Sequence, residues 1–245
     1  MSRIAALHPV RHAKVRLRQP TAVSKLRFAL LGRSELTLAC ADFPLCLAKE
    51  AGSGRFNLIA LFALVEPRNL FWLNQRWQAT YLPEATTTAP LLLDPGGEHG
   101  LAIDEDSAIL NDGGDELFGP DGKATEVLER TVVRLKRITD DIADAQRMVD
   151  EFARRRLIRP LQLVLRHEDG REHQIEGLYS LGTDALAALD DDSVVELYRA
   201  GDLAAAAIMS ASLSQIERLR QLHNAQLQNV PGAKPIASAN VTIQE

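Results

Sequence analysis

Cysteine is scarce in this chain: Cys40 and Cys46 are the whole supply in 245 residues. Two thiols cannot build a disulfide framework, and their spacing fits no zinc-ligand pattern. That usage suits a reducing compartment, so a cytoplasmic location is expected. Long apolar runs are missing as well. A membrane-spanning helix needs about 20 mainly apolar residues. The run from Phe56 to Val65 stops at Glu66-Pro67, and the run from Leu203 to Leu213 continues into Arg218 and Arg220. On this hydropathy the chain is not a membrane-embedded permease. Arg27, Arg33 and Glu35 interrupt the apolar stretch after Lys25, so no secretory signal forms there. There is no G-x-S-x-G, no Walker loop and no dinucleotide fingerprint, and no cofactor is assigned.

Acid is missing from the first 34 residues, which carry eight Lys or Arg: Arg3, Arg11, Lys14, Arg16, Arg18, Lys25, Arg27 and Arg33. Such an arm could meet an acidic partner, anionic lipid or a nucleic acid; the other reading is that it docks on the protein's own acidic body or is a solvated edge. The net charge of −5 argues against nucleic-acid binding as the global task. Aromatic residues make up only 5% of the chain, yet both tryptophans fall in one stretch, EPRNLFWLNQRWQATYLPEA at 66–85.

What is present is an ordinary globular composition, 46% hydrophobic and 25% charged, enough to bury a core. The expected fold class is α+β, with an N-terminal half largely antiparallel β and a C-terminal half helical with one β-hairpin. A single domain is expected over 1–230, β-rich across 10–115 and helical with the hairpin across 123–229. Alternation around Val15 and Leu17 reads as a strand, and LAI at 101–103 and a segment near Ile109 as short strands; the continuous apolar run 57–65 is either a central strand or a short buried helix. NLFWL and RWQATYL read as hairpin arms joined by Asn74-Gln75. Gly, Asp and Pro make 94–122 mostly turn and loop.

Thr125 is a candidate N-cap for a helix of about 30 residues. Its seam of Leu128, Leu135, Ile142 and Val149, with Ile138, Ala145 and Phe152, could bind a second copy through the 128–152 helix. The other reading is packing on the protein's own sheet or C-terminal helix. In LQLVLRHEDGREHQIEGLYSL, a three-residue loop at 168–170 sets Leu163 opposite Ile175 and Leu161 opposite Gly177, keeping one face apolar. Short helices follow, one closed by Gly201. Asp202 then opens a last helix to about Leu227. The tail 231–245 lacks periodicity and is expected to be flexible.

Two constellations could carry chemistry. His167 and Asp169 form an H-x-D pair with His173 or His223 as a third ligand, a facial-triad pattern. Asp169 is however needed in a tight turn, and His173 lies in the same hairpin. Asp190-Asp191-Asp192 could hold a hard cation or cap a helix. The aromatic stretch is the other feature. Phe71, Trp72, Trp77 and Tyr81 are candidate ligand-binding residues, forming either an open ladder for a peptide or ring ligand or part of a core.

These residues resemble the bacterial SapC family. Asn69-Leu70-Phe71, then Trp77, Tyr81 and Pro83, are similar to its centre. Further matches keep their order: His12, Phe43-Pro44, 58–65, Ala102-Ile103-Asp104, Leu117-Phe118, Gly122, Thr125, Gly177-Leu178, Leu197, Gly201 and Ser212-Leu213. The resemblance covers roughly 8–220 and departs at EATTTAPLLL, where the family usually carries paired arginines. It implies an accessory protein of a surface-layer, surface-uptake or peptide-modification system. Members are often labelled peptide-transport permeases, which the hydropathy contradicts. No catalytic residue carries over.

The expected function is therefore a bacterial accessory or binding protein with a peptide or protein partner. The alternative is an enzyme that modifies a peptide or small molecule using a metal or a borrowed cofactor.

Overall fold

A computed structural model of the chain describes residues 3–17, 22–50, 52–65, 68–88, 90–94, 100–107, 114–227 and 235–244. The fold is α+β, with antiparallel sheets in the N-terminal half and helices in the C-terminal half. Two compact units emerge, Met1–Lys25 with Glu84–Asp141, and Leu26–Pro83 with Ile142–Glu245.

In the first unit, Leu101–Asp104 lies between Ile4–Ala6 and Leu91–Leu93 in an antiparallel sheet. Arg16–Leu17 pairs with Asp115–Glu116. Leu7, Leu91, Leu101, Ile103, Leu117 and Phe118 form its core with Leu128 and Leu135. The strand expected near Ile109 lies outside the described residues. The basic arm docks on the protein's own acids. Arg3 and Arg11 meet Glu105 at 2.7 and 2.6 Å, and Arg16 meets Glu116 at 2.5 Å.

His12, which is buried, completes the Glu105 cluster. Its Nδ1 accepts the His8 backbone N–H at 2.9 Å, so Nε2 carries the proton and donates to Glu105 Oε1 at 3.0 Å. With both ring nitrogens engaged, this imidazole ties the arm to Glu105. The His12 hydrogen bond, aided by Arg11 and Arg3, lowers the Glu105 carboxyl below its ordinary value.

The second unit is built on a six-stranded antiparallel sheet, in the order Ile236–Ile243, Ile158–His167, Glu172–Leu181, Leu45–Lys49, Phe56–Leu61, Phe28–Leu30. The interior strand Phe56–Leu61 is the apolar run legible at 57–65. The hairpin closes as the spacing predicts. Gly170 has φ +82 in the three-residue loop, and Leu163 faces Ile175. One register differs, because Leu161 faces Leu178, not Gly177. Gly177, at φ +80, is the extra residue of a bulge, a conformation costly for any residue with a Cβ.

The tail is not wholly flexible. Ile236–Ile243 pairs with Ile158–His167 as an edge strand. It reads poorly in sequence because the side chains it packs on the core, Ala239, Val241 and Ile243, are only partly buried, which weakens the apolar contrast.

The long helix Glu126–Arg154 begins after Thr125, whose hydroxyl faces the Leu128 N–H at 3.4 Å. Leu128 and Leu135 serve the first core, and Ala145, Val149 and Phe152 the second. Five of the seven seam residues suggested as a dimer contact thus pack into the chain's own cores, while Ile138 is buried outside them and Ile142 is half-buried. Asp190 caps Asp191–Ala200, accepting the Ser193 N–H at 2.7 Å, with Asp191 and Asp192 in the first turn, as the helix-cap reading of the Asp triplet expects. The expected single helix from Asp202 is two, Asp202–Ser212 and Gln215–Leu227. Ser212 and Ser214 turn their hydroxyls onto the Met209 and Ala211 carbonyls at the break. Such bonds bend and weaken a helix.

Burial raises the Cys46 thiol to about 12, while Cys40 is partly exposed. The thiolate is the reactive form. A thiol reagent at neutral pH will therefore modify one cysteine per native chain, Cys40, and reach Cys46 only on unfolding. Two equally fast cysteines would contradict the packing. Glu105 sets an acid limit. Its folded pKa lies below its unfolded one, so its contribution is present above the unfolded pKa and lost as pH falls through the folded one. Glu105→Gln should flatten the fall in thermal stability below about pH 4.5, the ordinary glutamate value. An unchanged acid slope would contradict it.

Candidate functional site

The aromatic stretch forms a tight hairpin, Trp72–Leu73 against Arg76–Trp77, with Trp72 directly opposite Trp77. Asn74 and Gln75 have φ 51 and 58, the two left-handed residues of a two-residue type I′ loop. Strand geometry stops there, and residues 78–83 run on irregularly. Asn69 fixes the entry: its buried Oδ1 accepts the Phe71 N–H at 2.9 Å. The Leu70 N–H reaches the Phe62 carbonyl at 2.9 Å, tying the hairpin to the sheet.

Beneath it lies an aromatic cluster. Phe71 is fully enclosed, edge-on to Phe43 at 4.8 Å and Phe62 at 6.1 Å, with Trp77 within 6.0 Å of all three rings. Edge-to-face rings at such spacing gain about 0.5–1.5 kcal/mol per pair beyond burial. The Trp77 indole N–H donates to the Tyr81 carbonyl at 2.7 Å.

A polar network braces the same place. The Tyr81 hydroxyl donates to Glu35 Oε1 at 2.7 Å, and the Tyr81 N–H to Asp42 Oδ2 at 2.8 Å. Arg218 closes on Asp42 Oδ1 at 2.6 Å and lies over the Phe71 ring at 5.5 Å. Asp42 is 2% exposed, so its charge needs these partners. The Gly32 N–H donates to the other Glu35 oxygen at 2.7 Å. Sequence reasoning missed Glu35, Asp42 and Arg218. Asp42 and Arg218 are 176 residues apart, and no local pattern links them.

The four predicted aromatics therefore divide. Phe71 is an enclosed anchor. Trp77 and Tyr81 are half-buried, with their indole N–H and hydroxyl satisfied inside the chain. Trp72 is half-buried too, but no described residue pairs with its indole N–H. A small crevice beside the hairpin's entry is lined by Leu64, Val65, Arg68, Leu70, His223 and Gln226, and none of the four aromatics lines it. Elsewhere in this unit a charged groove holds Arg33, Arg147, Arg154 and Arg155, each paired within the chain with Asp202, Asp144, Glu151 or Glu196.

His167, Asp169 and His173 do not converge. Asp169 is taken by Arg171 at 2.7 Å in the turn, and His173 faces Leu165 across the hairpin. Among the described residues no group of three or more His, Cys, Asp or Glu could hold a metal ion.

Removing Arg218 strands the Asp42 charge. Arg218→Ala should cost about 2–3 kcal/mol, below the 3–5 typical of broken buried pairs because the guanidinium is partly exposed. Arg218→Ala with Asp42→Asn should recover part of the loss, because asparagine can still accept the Tyr81 N–H. Denaturant unfolding of Arg218→Ala, Asp42→Asn and the double variant checks this, and purely additive losses would contradict the pairing.

No helix among the described residues is long and apolar enough to cross a membrane. No curated protein and no solved structure matches the chain. The SapC family model matches residues 7–219. That stretch takes in the aromatic hairpin, Asp42 and Arg218, and the chain belongs to the SapC family.

Proposed function

We propose that this SapC-family protein is an accessory binding protein that holds a peptide or partner protein at the aromatic hairpin, in a surface-uptake or peptide-modification system. One observation carries the reading. Trp72 stands half-exposed on a hairpin braced from below, with its indole N–H unpaired among the described residues. A tryptophan combines large apolar area with one donor, and such residues are enriched among the anchors of protein interfaces. Bracing matters because a side chain ordered before binding loses less entropy when it binds.

The roles follow from burial. Trp72 contacts the ligand, the exposed faces of Trp77 and Tyr81 border it, and Phe71 supports them from the core. Trp72→Ala should abolish capture of a partner from lysate of the native organism while shifting the melting temperature by under about 2 °C. Trp77→Ala should destabilise by about 3 kcal/mol, as loss of a large core aromatic does. If Trp72→Ala affects only folding, or leaves capture intact, the site is wrong.

A further inference from the structure

The sheet of the second unit has two unequal edges. One, Phe28–Leu30, is three residues long. The other, Ile236–Ile243, is eight residues long, IASANVTI, with no charge and no proline. Natural edge strands are usually blunted by shortness, lysine, proline or a bulge. Here the register against Ile158–His167 is continuous from Ser238 to Ile243, and the bulge falls only at the Ile236 end.

The direction of each backbone group can be read off. The Gln244 N–H bonds the Pro160 carbonyl at 3.0 Å, so Gln244 points inward to its neighbour strand. Inward and outward residues alternate in an antiparallel ladder. Thr242, Asn240 and Ser238 therefore also bond inward, and Ile243, Val241 and Ala239 aim their N–H and C=O groups outward. No described residue meets those outward groups. At Ile236 the edge is closed: Asn224 takes its N–H at 2.8 Å, and Arg220 and Asn224 take its carbonyl at 2.7 and 2.9 Å.

We propose that this edge is a homodimer contact, on which Ala239–Ile243 of a second copy pairs antiparallel about a two-fold axis at Val241. That register sets Val241 against itself and Ala239 against the partner's Ile243. It uses all six outward groups. Self-pairing of a charged strand would set like charges face to face, whereas this strand has none to oppose. It also closes the edge against further copies, as an isologous contact must. The contact is separate from the hairpin of Trp72 and from the buried seam of the long helix.

The same register sets Asn240 opposite the partner's Thr242, both exposed, at the close spacing of a non-hydrogen-bonded pair. Within the chain they face Val164 and Gln162, which are uncharged. Charges placed at 240 and 242 therefore act across the dimer and leave the fold alone.

Light scattering and sedimentation on the full chain should give about 54 kDa, twice the 26.9 kDa of one chain. Asn240→Lys with Thr242→Lys faces lysine with lysine twice and should weaken the dimer at least tenfold with an unchanged melting temperature. Asn240→Lys with Thr242→Glu faces lysine with glutamate and should restore it to within about threefold. A 26.9 kDa monomer up to roughly 100 μM overturns the proposal. So does a dimer indifferent to the double lysine variant. A monomer that instead binds a fluorescent synthetic IASANVTI peptide also overturns it, assigning the edge to free peptide strands.

Discussion

The Asp42 carboxylate is the constraint around which the candidate site is arranged. At 2% exposure its oxygens are cut off from water and need partners, and it has two of different origin. Arg218 comes from the last described helix, and the Tyr81 N–H from the segment that follows the hairpin. One charge thus ties a C-terminal helix to the aromatic stretch, and Glu35 adds a second tie through the Tyr81 hydroxyl. The aromatic cluster fills the space between. Phe71 could not be both enclosed and beneath a guanidinium unless the hairpin were drawn onto the sheet.

This division between anchor and handle gives the hairpin its character. Trp72 and Trp77 face each other across two short strands, yet their polar ends have different fates. Trp77 gives its N–H to the Tyr81 carbonyl, while Trp72 has no such partner among the described residues. The network below sets the position of Trp72 without occupying it. The basic arm, by contrast, meets acids of its own chain at Glu105 and Glu116. That weakens the case for it as the partner-binding element.

Local chemistry was legible in the sequence, and long-range pairing was not. Asp169-Gly170 set the hairpin loop and the Leu163–Ile175 register, because a loop's length and its one left-handed residue fix what faces what. Asn74-Gln75 did the same for the aromatic hairpin. The bulge at Gly177 was hidden because a lone glycine in a strand has several explanations. The last strand escaped notice because its partner lies some 75 residues earlier and its small, mixed side chains carry little pattern. The buried seam of the long helix showed its apolar face but not which core would take it. Of the site, all four aromatics were visible, while Glu35, Asp42 and Arg218 were ordinary charged residues until folding brought them together.

Because the chain has only two tryptophans, their indole N–H groups give two separate signals in a nitrogen–proton NMR spectrum. Hydrogen exchange of that pair in native protein addresses the central claim directly. The Trp77 proton, held by the Tyr81 carbonyl, should exchange at least a hundredfold more slowly than the Trp72 proton, a gap of about 2.7 kcal/mol or more in opening free energy. Equal rates, or a Trp72 proton as protected as its neighbour, would contradict the account.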